Sequence, residues 1–277
     1  MKKIVSVICY LLSVICILTA CSAAPATTNK RVVCTFYPVY LAAANLTRGT
    51  DVEVSLLTAP TAGCLHDYQL TPAELTALSK ADLVLAVGGG MENFLSRVTE
   101  AYPKLDLKDC SAGIELIPEN AHYWVYAEDY IAMVKNIAKY LNVDENANGY
   151  LSEIEALRDE LEVIRDLPDK NIVTFHEAFD YWERYGLNIA AAIEREPGTE
   201  PTPGELADTI NIVKALGIKA LFAEPQYPDN AALTIARETG ATVYSLDPVA
   251  SGPLDELDYY QVKMRKNLAT LKLALGG

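Results

Sequence analysis

The stretch Asn171–Leu187, NIVTFHEAFDYWERYGL, begins as an apolar run and changes at His176 into residues spaced as on a helix. A strand that passes directly into a helix is the repeating unit of a parallel sheet covered by helices. After residue 170 the pattern recurs. Strands are expected near Asn171–Phe175, Leu187–Ile193, Ile218–Phe222 and Ala241–Leu246, with helices between them.

The first half reads the same way. Strands are expected near Arg31–Phe36, Asp51–Leu57 and Asp82–Val87, and helices near Thr71–Lys80 and Glu92–Tyr102. Two helix starts carry one signal: Thr71-Pro72-Ala73-Glu74 and Thr202-Pro203-Gly204-Glu205 each place Thr as N-cap, Pro in the first turn and Glu three residues on. Between the halves, residues 144–166 contain no Pro and only Gly149. Leu151, Ile154, Leu157, Leu161 and Ile164 fall three and four apart, an apolar stripe on a long amphipathic helix. At 1.5 Å per residue such a helix spans roughly 35 Å, enough for a rigid strut between two lobes. The expected organisation is residues 1–20 a signal segment, 21–30 a tether, 31–143 a first α/β lobe, 144–167 the linking helix and 168–277 a second α/β lobe. An ordinary surface helix of one domain is the alternative for 144–166.

The N-terminus has Lys2 and Lys3, an apolar run from Ile4 to Leu18, then small residues up to Cys21. Leu18-Thr19-Ala20-Cys21 resembles a bacterial lipobox, which implies cleavage before Cys21 and lipid attachment to that residue. The alternative is an uncleaved anchor, for which the run is shorter than the ~20 residues a span needs. Either way the chain works outside the cytoplasm. Cleavage removes Lys2 and Lys3 and takes the formal charge from −14 to −16. So acidic a chain repels nucleic-acid backbones and anionic lipid surfaces and suits cations. With 51% hydrophobic and 22% charged residues over 277 positions, it can bury a sizeable core. Cys9 and Cys16 leave with the signal; Cys34, Cys64 and Cys110 remain, an odd number that implies no disulfide framework.

The chain has three histidines, and each is expected at a loop: His66 after the strand ending near Leu57, His122 before a helix starting near Glu128, and His176 at a strand end. Asp247 follows the strand ATVYSL in the equivalent place. Ligands of open α/β sheets bind beyond the carboxyl ends of strands. Three imidazoles and a carboxylate, two from each lobe, form a four-coordinate set suited to a divalent transition metal, Zn²⁺ above all. Cys64, two residues before His66, has metal-ligand spacing too, but a small buried thiol is the simpler role.

These stretches carry a resemblance. VVCTFYPVY, GCLHDYQLTPAEL, ADLVLAVGGGMENFL, NAHYW, TFHEAFDYWERYGL, EPGTEPTPGEL, LFAEPQY and SLDPV together resemble the extracytoplasmic solute-binding proteins of bacterial zinc and manganese ABC importers, cluster A-I, from about Val32 to the C-terminus. The resemblance implies metal ligands at His66, His122, His176 and Asp247, delivery to an ABC permease in the membrane, lipid anchoring through Cys21, a monomer, and no catalysis. The family commonly has Pro before the second His and Glu-Pro after the first His-x-Tyr; here Ala121 and Gln69-Leu70 stand there. His176 at the third ligand position adds a nitrogen donor, which favours Zn²⁺; Mn²⁺ is the alternative.

Other classes have weaker support. His176-Glu177 begins an HExxH-like pattern, but Asp180 stands where its second His belongs, which argues against a zinc hydrolase. Gly88-Gly89-Gly90 follows a strand yet matches neither GxGxxG nor a P-loop, and reads as a tight turn. A surface-adhesin role is left open by composition.

Overall fold

The computed structural model describes residues 29–60, 65, 68–194 and 199–276. Cys21, Cys64 and His66 lie outside them. Two four-stranded sheets are present, each wholly parallel. The first comprises β1 (Lys30–Cys34), β2 (Val52–Leu56), β3 (Leu83–Ala86) and β4 (Leu107–Asp109), in the order β2-β1-β3-β4. The second comprises β5 (Asn171–Thr174), β6 (Asn188–Ala192), β7 (Ala220–Ala223) and β8 (Thr242–Ser245), in the order β6-β5-β7-β8. The two orders are the same, so each half is built on one design. In each, the connections diverge between the first strand and the third, and that crevice is where such sheets receive ligands. The three-residue β4 escaped the sequence reading; it is too short to show a period.

Helices are α1 (Tyr37–Leu46), α2 (Pro72–Ser79), α3 (Leu95–Ala101), α4 (Ala127–Leu141), α5 (Asp144–Leu161), α6 (Pro203–Leu216), α7 (Asn230–Thr239) and α8 (Tyr259–Leu275). The starts of α2 and α6 are reciprocal capping boxes: the Thr71 and Thr202 hydroxyls each accept from the backbone N–H of the following Glu at 3.3 Å, and each Glu carboxylate accepts the Thr N–H in return.

Strand alternation assigns the two faces of each sheet. Val32 and Cys34 of β1, and Leu83 and Leu85 of β3, point into a central core, while Val33, Val84 and Ala86 point outward beneath α2 and α3. In the second sheet Ile172, Ala220 and Phe222 face the same central core, and Val173, Leu221 and Ala223 face α6 and α7. One apolar cluster therefore runs under both sheets. It includes Val134 and Ile137 of α4, Ile154, Leu157 and Leu161 of α5, and Tyr260, Met264 and Leu271 of α8.

The helix expected over 144–166 is helical as far as Leu161 and then tightens into a 3₁₀ turn at Glu162–Asp166. Its stripe is placed as expected except at Leu151, which is half-buried while Tyr150 is buried instead. The Tyr150 hydroxyl meets that of Tyr130 at 2.9 Å, a partner that a hydrophobicity pattern does not register. Residues Glu177–Tyr185 are a correction of another kind: they form 3₁₀ turns rather than an α-helix. Tyr181 and Trp182 there each bond to first-half backbone, Tyr181 Oη donating to Asn120 O at 2.7 Å and Trp182 Nε1 to Val125 O at 2.8 Å.

The shared core contains a close aromatic stack, Tyr130 on Tyr260, with ring centroids 3.7 Å apart and planes 8° from parallel. Tyr260 also donates to Trp124 O at 2.7 Å. Tyr260→Ala is expected to cost about 3–5 kcal/mol of unfolding free energy, in the range of other buried aromatic truncations. Tyr260→Phe, which removes only the hydrogen bond, should cost about 1 kcal/mol plus the penalty of an unpaired Trp124 carbonyl. Denaturant titration followed by far-ultraviolet circular dichroism measures both. Both halves should unfold in one transition, because they share this core.

Candidate metal centre

At the end of β5 the chain leaves the sheet at Thr174, and His176 is the residue that precedes the 3₁₀ turns. Its neighbour strand β7 ends at Ala223 and is followed by Glu224. These two strand ends flank the crevice of the second sheet, and there His176 Nδ1 and Glu224 Oε1 are joined by a short hydrogen bond, both side chains being buried. Burial pushes the Glu224 carboxyl above its ordinary value, opposed by the charge and hydrogen bond of His176. With Nδ1 held on a carboxylate, Nε2 is the nitrogen His176 would present to a metal.

His122 arrives from the first half. It is fully buried, and Asn120 Oδ1 accepts both its backbone N–H at 3.0 Å and a bond to its Nδ1 at 2.9 Å. Asn120 is itself fixed, since its amide donates to Glu177 O at 2.8 Å and to Asp180 Oδ2 at 3.3 Å. The His122 and His176 rings stand edge to face with centroids 5.1 Å apart. Trp124, two residues beyond His122, donates through Nε1 to Pro248 O at 2.8 Å and so bonds the first half to the residue next to Asp247.

Asp247 is buried after β8. Its Oδ1 accepts from Gln226 Nε2 at 3.0 Å and from Val249 N–H at 2.9 Å. Its Oδ2 lies 3.2 Å from Lys263 Nζ, an ion pair without an aligned hydrogen bond. Among the described residues, five buried side-chain atoms lack a hydrogen-bond partner, and four of them, Thr174 Oγ1, Glu224 Oε2, Gln226 Oε1 and Asp247 Oδ2, belong to the strand-end region of the second sheet. Buried oxygens with unused lone pairs concentrated at one place fit a cation. Among the described residues no three of His, Cys, Asp and Glu are gathered tightly enough to hold a metal. His122 and His176 come together, Asp247 is engaged by Lys263, and His66 lies outside the described residues.

The first sheet has a matching arrangement at its crevice. Glu92 is buried and takes the Thr35 hydroxyl at 2.5 Å and the Val87 and Gly88 N–H groups at 2.7 and 3.0 Å. The helix expected from Glu92 accordingly starts only at Leu95. Gly88 has φ +83°, and a Cβ there would sit 1.8 Å from Asp109 Oδ1, so the triple glycine is a turn that no side chain could occupy at this position.

Sequence reasoning missed Asn120, Glu224 and Lys263. Glu224 had a signal, a charged residue directly after the apolar run ALFA, as His176 follows NIVTF. Cys34 and Cys110 are buried free thiols.

Against known proteins, the family model described as "Zinc-uptake complex component A periplasmic" matches residues 32–274. The zinc-binding protein AdcA of Streptococcus pyogenes is 28% identical over 292 residues, covering 88% of this chain and 55% of AdcA, so the chain spans about half the length of that relative. The high-affinity zinc uptake system protein ZnuA of Haemophilus ducreyi is 27% identical over 274 residues, covering 80% of this chain and 86% of ZnuA. The solved structure of the solute-binding protein FpvC from Pseudomonas aeruginosa in complex with Mn²⁺ superposes with a TM-score of 0.80 at 28% identity, covering 90% of this chain and 98% of FpvC.

Two outcomes follow from the buried carboxyls. Glu224→Gln should weaken metal binding roughly 10- to 100-fold, the usual cost of losing the carboxylate that orients a ligating imidazole, and competition titration with a fluorescent chelator reads it. Glu92 is pushed up to about 7 from 4.5 by burial, against three donors that favour its charged form. A carboxyl raised in the folded state contributes stability below its unfolded value and loses it as pH rises through the folded one. The metal-free protein should therefore lose up to about 3 kcal/mol between pH 4.5 and 8 relative to Glu92→Gln, measured by denaturant titration across that range.

Proposed function

The chain belongs to the family of periplasmic A components of zinc-uptake complexes, and from that membership we propose that it captures a divalent transition metal outside the cytoplasmic membrane and hands it to an ABC permease. Zn²⁺ is the preferred cargo and Mn²⁺ the alternative. The observation that carries this reading is the buried pair His122 and His176, 5.1 Å apart between ring centroids, each with Nδ1 held on a side-chain oxygen. With Nδ1 of each ring on an oxygen acceptor, Nε2 is the nitrogen that each would offer a metal, the arrangement expected of ligating histidines.

The ligand set we propose is His66, His122, His176 and Asp247, two from each half. Three neutral nitrogens and one carboxylate leave a dication with net charge +1, and the buried Glu224 adds the counter-charge behind His176. Binding releases the protons that the imidazoles carry at low pH, so affinity should fall as pH drops through the histidine range.

The action is capture and delivery rather than turnover. Asp180, at the place of a second His of HExxH, accepts from Asn120 and so helps to hold His122. Burial pushes the Asp180 carboxyl up to about 6. The Leu18-Thr19-Ala20-Cys21 motif supports a lipid on Cys21 that tethers the protein, which we take to act as a monomer, to the membrane surface. The segments that carry the ligands are bonded across the two halves, which supports small closure around the metal.

Zn²⁺ at a thousandfold over its dissociation constant should add about 4 kcal/mol to the unfolding free energy of the metal-free protein. A melting temperature unmoved by saturating Zn²⁺ and Mn²⁺ would overturn the reading. His176→Glu, which exchanges a nitrogen donor for a hard oxygen, should lower the Zn²⁺/Mn²⁺ affinity ratio at least tenfold in competition titrations.

A further inference from the structure

Asp247 has two carboxylate oxygens, and their surroundings differ. Oδ1 is fully used by Gln226 Nε2 and Val249 N–H. Oδ2 is the oxygen left to receive a cation, and Lys263 Nζ already stands 3.2 Å from it. Lys263 reaches there from the first turns of α8, with its ammonium over the face of the Tyr259 ring, 4.7 Å from the centroid. Its side chain keeps 23% of its exposure, whereas Asp247 keeps 5%. Beside the pair lies an open cavity of about 590 Å³, bounded by Pro60 of the first half and by Gln226, Asp247, Tyr259 and Lys263 of the second. The ammonium therefore has space to move into without disturbing the backbone.

We propose that Lys263 is an internal competitor for the cargo metal: its ammonium holds the oxygen of Asp247 that the metal needs, so loading expels Lys263 and its return assists release. The inference rests on Asp247 being a ligand, as set out above. Both cations cannot share the site. A protonated Lys has three donors and no lone pair, so it cannot join the coordination shell, and a +1 charge a few ångströms from a dication in a buried setting repels it strongly. A flexible four-carbon stem lets the charge swing aside, as a planar, forked guanidinium would do less readily. The arrangement also keeps a buried carboxylate paired when no metal is bound, where an unpaired one would be costly. The consequence is an affinity set below the maximum that the four ligands could reach, which suits a carrier that must give its cargo up.

The test is Lys263→Met, with Lys263→Gln as a second variant in case the first folds poorly, and Lys266→Gln as a control that removes the same charge from an exposed position on the same helix. Three quantities are read for each: Zn²⁺ affinity by chelator competition, the rate of Zn²⁺ transfer to excess chelator, and the melting temperature without metal. For Lys263→Met and Lys263→Gln the expected result is affinity raised about tenfold or more, transfer slowed by a similar factor, and a lower metal-free melting temperature, because repulsion is removed and Asp247 loses its partner. Lys266→Gln should leave all three within about twofold. Unchanged or weaker Zn²⁺ binding by both Lys263 variants, with wild type binding normally, would overturn the inference and make Lys263 a structural counter-ion only. Wild-type protein that binds neither Zn²⁺ nor Mn²⁺ would overturn the metal-carrier reading itself, a separate result.

Discussion

The segment Asn120–Val125 is held to the second half by a set of buried hydrogen bonds, and the placement of the candidate metal centre depends on them. Asn120 is tied to Glu177 and receives Tyr181, Val125 receives Trp182, Trp124 donates to Pro248 and receives Tyr260. These bonds join residues two or three positions from His122 to Glu177 beside His176, to Tyr181 and Trp182 in the 3₁₀ turns that follow it, to Pro248 beside Asp247, and to Tyr260 of α8. Backbone carbonyls buried in an apolar core are costly to leave unpaired, so the aromatic donors fix position as well as filling space. Contacts of the first half with the segment that leads into α8 add to the same effect: Tyr37 and Tyr40 of α1 donate to Pro253 O and Leu254 O, and Gly252 N–H donates to Pro60 O. At Gly252 a Cβ would lie 2.7 Å from Tyr37 Oη, so the close approach requires glycine there.

A site pinned in this way can concentrate charge that a looser structure would expel. Glu224 and Asp247 are both buried, at the ends of β7 and β8, and the charge of Asp247 adds to the burial that pushes the Glu224 carboxyl up. His176 partly balances Glu224, and Lys263 balances Asp247. The balance is incomplete by design of the fold: buried oxygens without partners remain at the same strand ends. A dication is the species that satisfies them most economically, because it brings two charges without adding bulk.

The fold was legible in the sequence because its signals are local. The change of period at His176, the two Thr-Pro-x-Glu starts and the glycine turn at Gly88 each report a strand end, a helix start or a positive φ, and each stands where it was read. What was misread depends on distant partners. Residues Glu177–Tyr185 have helical spacing but adopt 3₁₀ turns while Tyr181 and Trp182 bond to first-half backbone, and Tyr150 is buried through a hydroxyl partner twenty residues away. Of the candidate site, His122 and His176 were legible as candidates because a residue type present only three times stands out at expected loops, and Asp247 because it directly follows an expected strand. Asn120, Glu224 and Lys263 were missed, since Asn, Glu and Lys are common on surfaces and only their contacts set them apart.

The most direct test of a four-residue centre spanning both halves is the crystal structure of the zinc-loaded protein with anomalous diffraction collected at the zinc edge. The account predicts one strong peak, about 2.0–2.2 Å from a ring nitrogen of His66, His122 and His176 and from an oxygen of Asp247, with Lys263 Nζ withdrawn from that carboxylate. A peak bound by Cys64 sulfur at about 2.3 Å, or one that leaves His122 or His176 outside the coordination shell, would contradict it.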